Sequence, residues 1–323
     1  MRIGILGCGR MGGERARSSI ALGHELAALY DPDFEKAAAL AAKCPASVVL
    51  FRREEIPWSA LDAVFICSPP ARRCELELPA IKAHLPFFVE KPIALTASDC
   101  MPVLEALRSN PVIHAVGYMN RCRNSVLFAR QLLARNNVLG VTCHWVGRRY
   151  KVGWWLDPNL SGGPLNEQAT HAFDLCRILV GEIEYVSAIA TPSPGPADVA
   201  LNVACMLKFT NGQLGTILYS CEASDKQIDL RVLATEGMLE FAGWDLRISA
   251  NTIDGAVPRI QEEDIFLKET DQFLNAVLRD EPALIHCDLA SAYRTQLVVD
   301  AVLTSLRSGT QTSVGTAVPL ESA

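Results

Sequence analysis

The stretch Gly7-Cys8-Gly9-Arg10-Met11-Gly12 constrains this chain more than any other part of it. Glycines in the pattern G-x-G-x-x-G serve three physical needs: a tight turn, approach of bare backbone to a ligand, and close packing of helix on strand. The flanks supply the context those needs require. Ile3 to Leu6 is a strand candidate before the glycines, and Met11 to Leu22 has a helical pattern after them. A helix that begins there presents unpaired N–H groups and the positive end of its dipole, where a phosphate is stabilised. Asp31 stands nineteen positions past Gly12, at the end of a second strand candidate, Leu26 to Tyr30. A carboxylate at that place accepts hydrogen bonds from ribose hydroxyls and repels a 2′-phosphate. The segment therefore reads as a dinucleotide-binding loop, with Gly7, Gly9, Arg10, Met11, Gly12 and Asp31 as cofactor contacts. NAD is favoured; NADP is the alternative, because Arg10 is placed to pair with the extra phosphate.

Beyond Asp31 the alternation continues. An Ala-rich helix, Phe34 to Ala42, leads to a strand at Ala63 to Cys67, a helix at Ala71 to Ala83 and a strand at Phe87 to Glu90. A helix at Ala97 to Ser109 and a strand at Val112 to Gly117 follow. Continuous apolar strands separated by helices predict a doubly wound parallel sheet covered on both faces, a Rossmann domain over residues 1–121. After Arg121 the pattern changes. A helix at Ser125 to Arg135, a run from Gly140 to Arg149 and a helix at Glu167 to Leu179 give way to successive strand-like segments. These are Glu184 to Ala190, Ala200 to Phe209, Gly215 to Cys221, Ile228 to Ala234 and Met238 to Phe241. Asn211-Gly212 between two of them is a hairpin signal. Two amphipathic helices, Ile265 to Arg279 and Leu289 to Leu306, close the chain. The expectation is an α/β protein whose residues 122–323 form an α+β domain, for substrate binding and oligomerisation, on an open, mainly antiparallel sheet.

At 323 residues the chain is too long for one typical core, which agrees with two domains. A formal net charge of -6 and the lack of any basic run argue against a nucleic-acid surface and against an anionic membrane. No apolar stretch approaches a spanning length, and the first strand begins at the start of the chain, so a cytoplasmic location is expected. The 11 cysteines are scattered singly, with no Cys-x-x-Cys pair. That spacing suits small buried hydrophobes rather than a disulfide framework or a metal site.

Phe87-Phe88-Val89-Glu90-Lys91-Pro92 runs off the end of a strand. Ligands of doubly wound sheets bind at the carboxyl ends of strands, so Lys91 is expected to project near the nicotinamide. Here the chain resembles the glucose–fructose oxidoreductase / inositol dehydrogenase / MocA family, whose members carry Glu-Lys-Pro after a Rossmann loop. The resemblance extends to Ser68-Pro69-Pro70, to Gly117-Tyr118-Met119-Asn120-Arg121 and to Ser161-Gly162-Gly163-Pro164-Leu165. It implies that Lys91 contacts the reacting hydroxyl and the cofactor. It also implies that Ser68, Pro69, Glu90 and Asn120 lie along the cofactor, and that Arg121 lies near the substrate. Arg73 departs from the family, many of whose members carry histidine at that place.

Glu167, His171 and Asp174 are spaced i, i+4, i+7, which puts them on one face of a helix. The opposite face carries Ala172, Leu175, Cys176 and Leu179, suited to packing on a sheet. The spacing is similar to that of the family's substrate-contacting helix, with Glu167 where many members have aspartate. Alcohol oxidation needs a base for the hydroxyl proton, and imidazole titrates near working pH. His171 is therefore the candidate acid/base, Lys91 its electrostatic partner, and Glu167 and Asp174 the orienting carboxylates. Lys91 would lower the histidine pKa and the two carboxylates would raise it, which places the transition in the neutral region. Tyr150, Lys151, Trp155 and Asp157 are candidate substrate contacts, since aromatic faces beside polar groups suit a sugar.

The expected function is NAD(P)-dependent hydride transfer at a carbinol or carbonyl carbon of a sugar, sugar derivative or cyclitol. Three rivals remain: a reductase of a dihydrodiol, tetrapyrrole or imine, a non-catalytic dinucleotide-binding sensor, and redox-neutral glycoside cleavage. An open sheet face commonly becomes a subunit interface, so a homo-oligomer, dimer or tetramer, is expected.

Overall fold

The computed structural model describes residues 1–44, 48–192, 199–252, 260 and 264–315. The first half builds the parallel sheet in alternation: β1 (Arg2–Leu6), α1 (Arg10–Ala21), β2 (Glu25–Tyr30), α2 (Phe34–Ala41), β3 (Val48–Leu50), β4 (Ala63–Ile66), α3 (Cys74–Lys82), β5 (Phe87–Val89), α4 (Met101–Ser109) and β6 (His114–Val116). The six strands lie in the order β3-β2-β1-β4-β5-β6, and every neighbouring pair is parallel. Every residue of β4 and β5 is buried, as two covered faces demand. The strand order reverses between β1 and β4. The glycine loop leaves β1 at that switch point, and the Lys91 corner leaves β5 one strand further on.

The second half comprises α5 (Asn124–Leu133), β7 (Val138–Arg148), the short α6 (Pro158–Ser161), α7 (Thr170–Val180), β8 (Ile183–Ala190), β9 (Asn202–Phe209), β10 (Leu214–Ser220), β11 (Glu222–Ala234), β12 (Gly237–Ala242), β13 (Arg247–Thr252), α8 (Ile265–Arg279), α9 (Leu289–Ser308) and β14 (Thr312–Ser313). Its eight strands run β13-β12-β11-β7-β10-β9-β8-β14, antiparallel throughout except for the parallel pair β7–β10. Strands β9 and β10 alternate buried and exposed residues, so one face meets the core and the other meets solvent. Helices α5, α7 and α9 cover the inner face. Asn211-Gly212 makes the β9–β10 turn, with Gly212 at φ +90°.

Helices α8 and α9 return to the first sheet. α8 packs along α1, with Phe273 edge-on to Phe65 at 5.4 Å. α9 buries Leu289, Ala292 and Tyr293 in the first core and Val298, Val299 and Val302 in the second. One helix thus ties both sheets together and fixes the cleft between them.

The sequence pattern did not anticipate β3, β13 and β14, short edge strands with little periodicity of their own. β11 begins at Glu222 rather than near Ile228, because its first residues are mostly exposed and carry no apolar alternation. The expected helix from Glu167 divides into a π-helical turn, Leu165–Ala169, followed by α7.

Candidate active site

Each glycine of the loop answers a separate constraint. Gly7 sits at φ +101°, and a Cβ there would lie 2.6 Å from the carbonyl carbon of Cys67. A Cβ on Gly12 would lie 2.0 Å from the Gly7 carbonyl oxygen, so helix and loop touch backbone to backbone. A Cβ on Gly9 would meet nothing within 4 Å. Gly9 caps α1, whose first turn holds no acidic residue. Arg10 is exposed beside it and Met11 half-buried. Asp31 is anchored at the loop: its Oδ2 accepts from the Cys8 N–H at 2.8 Å and its Oδ1 from the Asp33 N–H at 2.9 Å. Open backbone N–H groups at a helix start, with a carboxylate at the end of β2, fit the diphosphate and ribose of a dinucleotide.

Past β5 the chain turns through a cis Lys91-Pro92 bond. The Arg73 guanidinium, buried, donates to the carbonyls of Ser68 (2.8 Å), Glu90 and Pro92, and so clamps the loops after β4 and β5 to each other. The Glu90 carboxylate accepts from Arg15 Nε at 2.8 Å, and Arg15, fully buried, also pairs with Glu269 of α8. This network holds the base of the corner and commits the Glu90 side chain to the protein interior. Burial raises Glu269 to about 7, against the pull of Arg15.

Lys91 emerges from this support and meets the π-helical turn. Its Nζ donates to the Glu167 carbonyl at 2.6 Å and lies 3.3 Å from Glu167 Oε2. One turn on, His171 stacks on Trp145 (ring centroids 5.5 Å apart) with Tyr118 edge-on at 6.0 Å. Tyr118 is itself fixed by a 2.6 Å hydrogen bond to Thr170. Burial, then the charges of Lys91, Lys226 and Arg123, push the imidazole well below its ordinary pKa. The ring is therefore neutral at pH 7. Among the described residues no carboxylate opposes the shift, which departs from the balance expected from sequence. Four buried polar atoms here have no hydrogen-bond partner among the described residues: Ser68 Oγ, Asn120 Nδ2, Glu167 Oε1 and His171 Nδ1. Buried polar atoms are ordinarily satisfied, so four such atoms on the loop after β4, the domain junction and the Lys91–His171 wall suit a polar ligand.

Asp174 and Arg121 are drawn elsewhere. Arg121 grips both oxygens of Asp174, Nε at 2.9 Å and Nη2 at 2.6 Å, and reaches Ser291 of α9. Asp174 also accepts from Thr295 at 2.8 Å. Both residues are buried, and among the described residues neither hydrogen-bonds to Lys91 or to a nitrogen of His171. The i, i+7 relation was drawn for one continuous α-helix, whereas a π turn resets the register between Glu167 and Asp174. Of the remaining candidates, Trp155 is fully buried in the second core with Tyr150 edge-on at 5.3 Å. Asp157 caps α6 by accepting from the Asn159 N–H, and Lys151 is exposed. Pro69 opens the turn beneath Arg73.

Sequence reasoning overlooked Trp145, the role of Arg73, and Asn166, whose amide bridges the carbonyls of Ala94 and Ser161 and accepts from Gln296 of α9. It also overlooked Gln168, which accepts from Tyr219 at 3.0 Å. Gln168 adjoins Glu167 in sequence, but its orientation depends on the π turn.

Residues 1–118 match the model of an oxidoreductase family with an NAD-binding Rossmann fold, and residues 129–240 match the GFO/IDH/MocA C-terminal domain. The 2,7-anhydro-N-acetylneuraminate hydratase of Escherichia coli (strain K12) is 28% identical over 280 residues, which is 81% of this chain and 74% of that protein. Inositol 2-dehydrogenase 1 of Saccharopolyspora erythraea is 29% identical over 210 residues, 62% of this chain and 61% of that relative's length. Levoglucosan dehydrogenase, solved in complex with NADH, superposes with a TM-score of 0.85 at 20% identity, over 98% of this chain and 99% of that one, a likeness of fold. With both halves of the chain matched, and the glycine loop and Lys91 corner in place, this protein belongs to the GFO/IDH/MocA oxidoreductase family and carries its NAD-binding Rossmann domain at the N-terminus.

Proposed function

We propose that this chain is an NAD-dependent dehydrogenase that oxidises a carbinol carbon of a sugar, sugar derivative or cyclitol, or reduces the corresponding carbonyl. The observation that carries the reading is the convergence of Lys91, Glu167 and a neutral His171 at the carboxyl edge of the first sheet, beside the glycine loop. When bound, the nicotinamide supplies or accepts the hydride. The protein does the rest. Lys91, held by Glu167, stabilises negative charge on the reacting oxygen, and His171 takes the hydroxyl proton as that charge develops. Asn120, whose amide nitrogen has no partner among the described residues, and Ser68 hold the cofactor side. In this reading residues 1–121 bind the dinucleotide and 122–323 shape the substrate pocket, where Tyr150 offers an exposed ring.

Asp31 supports NAD over NADP, since its carboxylate lies at the end of β2 with no cation paired to it among the described residues. Eleven free thiols support a reducing compartment such as the cytoplasm. No helix among the described residues is long and apolar enough to cross a membrane. The outer face of the second sheet exposes Ile189, Met206, Leu214, Leu218 and Leu233, which supports self-association through that face.

The test is a panel of hexoses, hexuronates and inositols with NAD, followed by NADH absorbance, on wild type and Lys91→Ala. Wild type should reduce NAD with at least one member and bind NADH more tightly than NADPH. The alanine variant should lose about a hundredfold or more of kcat and keep NADH affinity within a few-fold. A folded variant with near-normal kcat would remove Lys91 from the reaction. The name of the Escherichia coli relative, a hydratase of an anhydro sugar, favours one second reading: redox-neutral conversion with NAD regenerated in each cycle. Product formation with no net NADH would distinguish it.

A further inference from the structure

Hydride transfer alone leaves Lys226 without a role. It lies on β11 where the ladder with β7 slips: Glu222 faces Arg148 and Gln227 faces Val146, so residues 223–226 stand opposite Gly147 alone. Such a bulge re-aims side chains, and here it brings the lysine stem over Gly147. The Lys226 ammonium rests 3.5 Å from the centroid of the Trp244 ring, which fixes its position. Among the described residues it forms no salt bridge. The acidic neighbours on its own strand are engaged elsewhere, Glu222 with Arg149 and Asp225 with Arg148.

The charges that face Lys226 are Arg10, Arg123 and Lys91. The side chain keeps an exposed face, yet desolvation first, and then these charges, pull its pKa down to about 8. Lys91 has Glu167 for a partner. Arg10 belongs to the first turn of α1, at the phosphate end of the cofactor loop. Lys226 comes from the opposite wall, the second sheet, two residues before Ile228, which pairs with Trp145, the residue whose ring stacks on His171. A cation held on an indole beside the reaction centre, among like charges, is stabilised by an arriving anion. A neutral polyol offers it only an uncharged hydrogen bond.

We propose that Lys226 is the recognition point for an anionic group, a carboxylate or a phosphate, on the substrate, so that this enzyme acts on acidic sugars in preference to neutral ones. The proposal rests on the dehydrogenase reading above and names the substrate class of that site. Calorimetric titration of the NADH-loaded protein tests it, with D-glucuronate, D-galacturonate, D-mannuronate and D-glucose 6-phosphate, each against its neutral hexose. Wild type should bind at least one acid about tenfold more tightly than its neutral counterpart, the size of one charge-assisted hydrogen bond. Lys226→Met keeps the stem over Gly147 and removes the charge. It should lose about that factor on the acid and less than about twofold on the neutral sugar, while Lys226→Arg should stay within about threefold of wild type. The proposal is overturned if no acid is preferred, or if the methionine variant weakens acid and neutral sugar alike. It is also overturned if that variant weakens NADH binding alone, which would assign the lysine to the cofactor diphosphate. Because binding is measured without turnover, an acid preference with no NAD reduction would defeat the dehydrogenase reading and leave the anion site standing.

Discussion

At the scale of single residues, His171 shows how environment decides chemistry. Its ring is enclosed by Trp145 and Tyr118, and the charges around it are cationic. Protonation is disfavoured on both counts, so the base form is present throughout the neutral range. Oxidation requires that form, so kcat/KM for oxidation should rise with pH through an inflection below the ordinary imidazole value of 6.5 and be flat by pH 7. Reduction needs the protonated ring and should fall through the same inflection. His171→Ala should lose the limb and roughly two to four powers of ten in rate. The measurement is kcat/KM against pH for both proteins, and an alanine variant with the wild-type limb would assign the proton to another group. The residue type and its place on a helix were legible from the sequence. The direction of the shift was not, because the charges of Lys226 and Arg123, which act on the ring, come from β11 and from the start of α5.

At the scale of elements, the π-helical turn before α7 separates two functions that regular spacing had merged. Glu167 is delivered to Lys91, whereas Asp174 is taken by Arg121 and Thr295. The Arg121–Asp174 pair joins the junction segment after β6 to α7 and, through Ser291, to α9. Removing one partner from a buried ion pair leaves the other uncompensated, at a cost of about 3–5 kcal/mol. Asp174→Asn should therefore lower stability toward that range in chemical denaturation while leaving the inflection of the pH–rate profile in place. A shifted inflection with unchanged stability would return Asp174 to the imidazole. The partner lies 53 residues away in the chain, and no local pattern names it.

At the scale of the molecule, the covered and uncovered faces of the second sheet assign separate roles. α5, α7 and α9 cover the inner face, and α9 continues into the first core, so the two walls of the cleft are held in one geometry. The outer face keeps Met206 and Ile189 largely in solvent, at 64% and 74% exposure, in strands whose alternate residues are buried. Self-association through this face predicts a dimer or larger assembly by light scattering. Met206→Asp, which adds a charge to the patch without touching the core, should shift the protein toward monomer with its NADH affinity unchanged. A wild-type monomer at the concentrations of the assay would refute the interface.

The sequence by itself determined what depends on neighbours a few residues apart. Gly7, Gly9 and Gly12 specify a turn, a bare approach and a close packing within six residues. The apolar runs of β1, β2, β4, β5 and β6 specify a parallel sheet by their composition, and Asn211-Gly212 specifies a hairpin. The tertiary structure alone decided what depends on distant segments meeting. Arg73 clamps two loops from different strands, and Glu90 turns inward to Arg15. Lys226 reaches the rim of the site only because β11 slips against β7. Backbone conformation is set by local sterics and periodicity, whereas the partner of a buried charge is set by whichever element the packed cores carry to it.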